Sequence, residues 1–78
     1  MKVVKVLGPG CAKCKAMYNN VNEAVKQLGI EVELIKIENI DEMMKYNILT
    51  TPVLMIDEVA KVKGRVPDVS EIKVFLNE

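Results

Sequence analysis

The chain has 78 residues, half of them hydrophobic, with 11 basic against 11 acidic side chains. That length predicts one domain over residues 1–78 with a thin core, aliphatic in character because there is no Trp and one Phe. A net charge of zero without any like-charge block argues against nucleic-acid and membrane-surface partners, which need a basic patch. No apolar run approaches the roughly 18 residues that cross a bilayer.

The start, Met1-Lys2-Val3-Val4-Lys5-Val6-Leu7, reaches Gly8-Pro9-Gly10 too soon to be a signal peptide, so the cytoplasm is the expected location. Its β-branched run reads as a first strand bounded by the glycine loop. From Cys11 the period changes: Cys14, Met17, Tyr18, Val21, Ala24, Val25 and Leu28 recur at three- and four-residue steps, the stripe of one helix. Gly29 supplies the left-handed position that commonly ends a helix. Val32 to Ile37 is a second strand, parallel to the first because a helix intervenes.

Asn39 with Glu42 resembles a capping box opening a short helix through Met43, Met44 and Tyr46. Val53 to Ile56 and Val59 to Val62 flank Asp57-Glu58 at the spacing of a hairpin, without the usual glycine. Asp68 with Glu71 repeats the capping signature before a last helix with Val69, Ile72, Phe75 and Leu76 on its stripe. The order βαβαββα predicts an α/β fold: a four-stranded mixed sheet with three helices. The methionines, Met17, Met43, Met44 and Met55, read as core filler. Tyr18 and Tyr46 read as half-buried rings with wet hydroxyls, and Arg65 as a solvated charge.

Cys11-Ala12-Lys13-Cys14 sits where the glycine loop meets the helix. Positions i and i+3 share a helical face, within reach of a disulfide. Closing so small a loop stabilises a fold by only about 2 kcal/mol, against about 3 for a 15-residue loop, which suits a bond that opens and closes. Cys11, in the first turn, meets unpaired N–H groups and the positive dipole end, with Lys13 and Lys15 nearby; these favour a thiolate. Cys14, a turn deeper, suits the resolving thiol. Two thiolates without histidine cannot complete a zinc site in one chain, whereas linear copper(I) coordination stays open as a rival.

These pieces together resemble the thioredoxin-like superfamily, and more narrowly its minimal thioredoxin/glutaredoxin-like proteins. The resemblance rests on Cys11-Ala12-Lys13-Cys14 after strand one, on Tyr46-Asn47-Ile48-Leu49-Thr50-Thr51-Pro52-Val53-Leu54, and on Gly64-Arg65-Val66-Pro67 before the last helix. It implies a thiol–disulfide oxidoreductase with catalytic Cys11 and Cys14 and a redox-active disulfide between them. It also implies a cis peptide bond at Pro52 and a substrate groove formed by Ala12, Lys13, Thr51, Pro52 and Gly64. Neither cofactor nor metal is implied; protein disulfides and an upstream reductase are the implied partners of a monomer.

Three departures stand out. Gly10 replaces the Trp that typically precedes the first cysteine, and Ala12-Lys13 replaces Gly-Pro between the two. The buried acid of the strand before the site has no counterpart, Lys2 and Lys5 being the charges there. Gly64-Arg65-Val66-Pro67-Asp68 does not reproduce the second glutathione motif of glutaredoxins. Small copper carriers also place CxxC after strand one, but their βαββαβ order ends in a strand. A non-catalytic module using the same groove would tolerate loss of both thiols.

Overall fold

The computed structural model describes residues 2–10, 12–47 and 50–78. Met1, Cys11, Ile48 and Leu49 lie outside the described residues, and with them the role read for Cys11 and part of the Tyr46–Leu54 resemblance.

The elements follow the expected order: β1 (Lys2–Leu7), α1 (Ala12–Leu28), β2 (Val32–Ile37), α2 (Ile40–Lys45), β3 (Val53–Ile56), β4 (Val59–Lys63) and α3 (Val69–Leu76). They build one four-stranded mixed sheet in the order β2-β1-β3-β4. β1 runs parallel to β2, Val4 opposite Leu34, and antiparallel to β3, Val6 opposite Leu54. β3 and β4 are antiparallel, with a register shift between Leu54 and Met55.

Because strand side chains alternate, β1 and β3 each feed two cores. Val4, Val6, Leu54 and Ile56 pack on Met17, Val21 and Ala24 of α1 and on Ile72 and Leu76 of α3. Leu7, Val53 and Met55 face the other way, onto Ile37 and onto Met43 of α2. All four residues of β3 are buried, as a strand covered on both faces requires.

Local chemistry sets the boundaries. Gly29 has φ +65° and its N–H donates to Val25 O, closing α1. The Asn39 side chain accepts from the N–H groups of Asp41 and Glu42, and that of Asp68 from Glu71 N at 2.8 Å, capping α2 and α3. Met44 departs from the expectation of core filler: it is 66% exposed, because a helix of six residues resting on one face buries Met43 and turns Met44 outward. Met17, Met43 and Met55 are buried.

The Asp57-Glu58 turn has both residues at positive φ, 50° and 68°, which normally calls for glycine. Strand β1 holds it there. Asp57 N donates to Val3 O at 2.8 Å, the Asp57 carboxylate accepts from Val3 N at 3.0 Å, and Glu58 pairs with Lys5.

Candidate functional site

The site forms where the loop after β1 meets the start of α1 and the approach to β3. Gly8 is its hub. A Cβ on Gly8 would collide with Cys14 Sγ and would lie 3.8 Å from Thr51 Cβ. The Cys14 sulfur is therefore seated against bare backbone, and only glycine leaves room for it. Cys14 is 5% exposed and opens the buried stripe of α1.

Ala12 and Lys13 lie exposed on the first turn of the same helix. That turn contains no acidic residue, and Lys13 and Lys15 crowd its positive end. Helix stability favours the opposite arrangement, so the local rule is broken in the turn before Cys14.

From the far side comes the segment before β3. The Thr51–Pro52 peptide is cis. Pro52 is fully buried while Thr51 is exposed beside Gly8. Gly64, at φ +76°, donates its N–H to the Pro52 carbonyl at 2.8 Å and passes close to the Thr50 side chain. The structure thus brings Cys14 and Thr51 together across Gly8, joins Pro52 to Gly64, and leaves Ala12 and Lys13 exposed on the first turn of α1; Cys11 lies outside the described residues.

Arg65 is exposed, as expected of a solvated charge, and it also has a partner. Its guanidinium grips Glu71 with two bonds of 2.8 Å, tying the corner after β4 to α3. That bond raises the Arg65 pKa and holds the Glu71 carboxyl below its usual range. Asn20 Nδ2 donates to Pro67 O at 2.9 Å, securing the same corner to α1.

Lys5 carries a role that alternation alone did not disclose. It lies on the α2 face of β1, and its ammonium donates to the Tyr46 hydroxyl at 2.7 Å and pairs with Glu58. Tyr46 is the C-cap of α2. One side chain therefore joins β1, the end of α2 and the β3–β4 turn. The bond to Glu58, then that to Tyr46, raises the Lys5 pKa. A lysine set between Val4 and Val6 in β1 was its signal in the sequence.

Strand, glycine loop, helix-borne sulfur and facing X-Pro segment define a thioredoxin-like thiol protein. A family model of the thioredoxin domain matches residues 2–77, and the chain belongs to that family. It is 38% identical to a thioredoxin of Methanocaldococcus jannaschii over 73 residues, 94% of this chain and 84% of that one. It is equally 38% identical to a thioredoxin of Methanothermobacter thermautotrophicus over 77 residues, 99% of this chain and all of that one. A solved thioredoxin-2, described as a component of malaria parasite protein secretion machinery, superimposes with a TM-score of 0.73 at 14% identity, over 99% of this chain and 82% of that one; the likeness is one of fold. The protein has a thioredoxin-like redox function. Among the described residues no helix is long and apolar enough to cross a membrane.

Proposed function

We propose that this protein is a thiol–disulfide oxidoreductase acting on protein disulfides, with Cys11 as nucleophile and Cys14 as resolving thiol. The observation that carries the reading is the seat of Cys14: a buried sulfur against Gly8, beside the exposed Thr51 and the buried Pro52. A thiolate at Cys11 attacks one sulfur of the substrate disulfide; that bond breaks, and its electron pair leaves on the other substrate sulfur, which takes up a proton. The Cys14 thiol then loses its proton and attacks Cys11 Sγ, expelling the second substrate thiolate and leaving a Cys11–Cys14 disulfide. The substrate is reduced by two electrons and the protein oxidised by two.

The positive end of α1, with no acidic residue in its first turn and with Lys13 and Lys15 close by in the chain, favours the attacking thiolate. Thr51 and Gly64 present backbone to an extended substrate chain, with Ala12 and Lys13 as the opposite rim. An upstream reductase of the cytoplasm restores the dithiol of a monomeric electron carrier. The copper-carrier alternative fits less well, because α2 separates β2 from β3, whereas the βαββαβ order runs from its second strand directly to its third.

Insulin-disulfide reduction driven by dithiothreitol is the test. Cys11→Ser abolishes turnover, and Cys14→Ser accumulates a mixed disulfide on Cys11. Full turnover in either variant overturns the assignment.

A further inference from the structure

The sheet order leaves β2 at one edge, and among the described residues β2 pairs with β1 alone. Peptide groups alternate in direction along a strand. Ile37 O accepts from Gly8 N at 2.9 Å, so Glu33, Ile35 and Ile37 turn their peptide groups toward β1, and Val32, Leu34 and Lys36 turn theirs outward. We propose that this edge receives an extended segment of a partner protein as an added strand antiparallel to β2. The segment carries a basic side chain opposite Glu33, an acidic one opposite Lys36 and apolar ones at the positions between and beside them.

The surface is recessed on both faces of this edge. A crevice of about 430 Å³ on the α2 face is lined by Ile35, Ile37 and Tyr46. Another of about 270 Å³, on the α1 face, is lined by Val6, Cys14 and Lys15. Lys36 and Glu38 border both. An added strand sends alternate side chains to the two faces, so it reaches toward both recesses while its backbone meets the open ladder. It also withdraws from water the half-buried Leu34 and Ile35, which pack on opposite cores.

The charges select the occupant. Glu33 shares the α2 face with Ile35 and Ile37, and Lys36 shares the α1 face with Val32 and Leu34, its ammonium 4.4 Å from the Tyr18 ring centroid. Both are exposed, and neither joins an ion pair among the described residues. A second copy of this chain fits poorly. Twofold antiparallel pairing keeps each face of the sheet continuous, so opposed residues share a face. The two registers of greatest overlap, centred on Leu34 and on Ile35, set Glu33 opposite Ile35 or Ile37 and Lys36 opposite Val32 or Leu34. Each charge then meets an apolar side chain, and no ion pair fixes the register. A segment of another protein bearing the complementary pair meets neither obstacle. Because β1 lies between this edge and β3, the approach to Thr51 and Gly64 stays open while the segment is bound.

The test is an amide-resolved NMR titration with the end-blocked peptide Thr-Val-Glu-Ile-Val-Lys-Val-Thr, whose Glu falls opposite Lys36 and whose Lys falls opposite Glu33. The amides of Val32, Leu34 and Lys36 shift and slow their hydrogen exchange, and those of Thr51 and Gly64 do not. Exchanging the Glu and Lys of the peptide weakens binding roughly fivefold at low salt, because both cross-strand pairs become like-charge contacts. At 1 M salt, with a Debye length of about 3 Å, the gap narrows. N-methylation of the Val opposite Leu34, which exchanges both hydrogen bonds with it, abolishes binding; N-methylation of the Ile opposite Ile35, whose N–H faces away, does not. Lys36→Pro, which removes an outward N–H where an edge strand tolerates proline, also weakens binding. The peptide variants leave the protein untouched, so they decide the matter even where Lys36→Pro fails to fold. Shifts centred on Thr51 and Gly64, equal binding after the charge exchange, equal loss from the two N-methyl peptides, or no shift at millimolar peptide overturns the proposal. Concentration-dependent shifts of the β2 amides without peptide overturn it too, by giving the edge to a second copy.

Discussion

On the sheet face covered by α1 and α3, Val4, Val6, Leu54 and Ile56 interlock with two helices, and all of them are at most 3% exposed. On the opposite face a helix of six residues contributes one buried side chain, Met43, and the remaining span is bridged by the polar contacts of Lys5 with Tyr46 and Glu58. The first face is built for stability, because area removed from water accumulates there. The second is built for placement. Its contacts reach the end of α2, from which the chain runs to Thr51 and Pro52, and they tie the hairpin turn to the strand leading into the glycine loop.

The largest effect should therefore come from the thick face. Leu54→Ala removes a fully buried side chain between α1 and α3 and should cost about 3–4 kcal/mol, measured by urea unfolding. Met43→Ala on the thin face should cost about 2 kcal/mol, at the low end of such truncations. Equal losses at the two sites would abolish the contrast. Asn39→Ala removes the α2 cap at about 1 kcal/mol, and the insulin KM should rise with it if the thin face positions the groove.

Smaller effects follow from charge. The Lys5 pKa is raised in the folded state, so its contribution is complete below the unfolded value and fades as pH climbs through the folded one. The difference in unfolding midpoint between the parent and Lys5→Met should be constant from neutral pH to about 10 and shrink above it. Glu71 behaves inversely. Its pKa is lowered by Arg65, so its contribution is present above the unfolded pKa and disappears as pH falls through the lower folded one. Glu71→Gln should weaken the parent at pH 7 and make no difference at pH 2; as an exposed pair on the thick side, it is the smallest of these effects.

The two faces were unequally legible in the sequence. The α1 stripe from Cys14 to Leu28 announces the thick face, because a period of three and four residues encodes a buried side whatever covers it. Likewise the N-caps at Asn39 and Asp68 are local, each side chain reaching an N–H within three residues. The thin face was harder to see. Met44 shares the composition of a core residue, yet whether a short helix buries one side chain or two depends on how it rests on the sheet. The positive-φ turn at Asp57-Glu58 violates local preference and stands because β1, far away in the chain, supplies Val3 and Lys5. Arg65 took its partner, Glu71, only six residues on, where the corner after β4 turns back onto α3.

Of the candidate site, the residue types and their order were visible, since Cys11-Ala12-Lys13-Cys14, Thr51-Pro52 and Gly64 each carry a local backbone or chemical signature. The seat of the Cys14 sulfur against Gly8, and the gathering of Lys15, Lys36 and Glu38 around one crevice, were not. The amino-acid string by itself determined the elements and their caps, because those depend on neighbours a few positions apart. Only the folded chain decided which strand lies beside β1 and what surrounds Cys14, since packing joins residues whose separation along the chain encodes nothing about their distance in space.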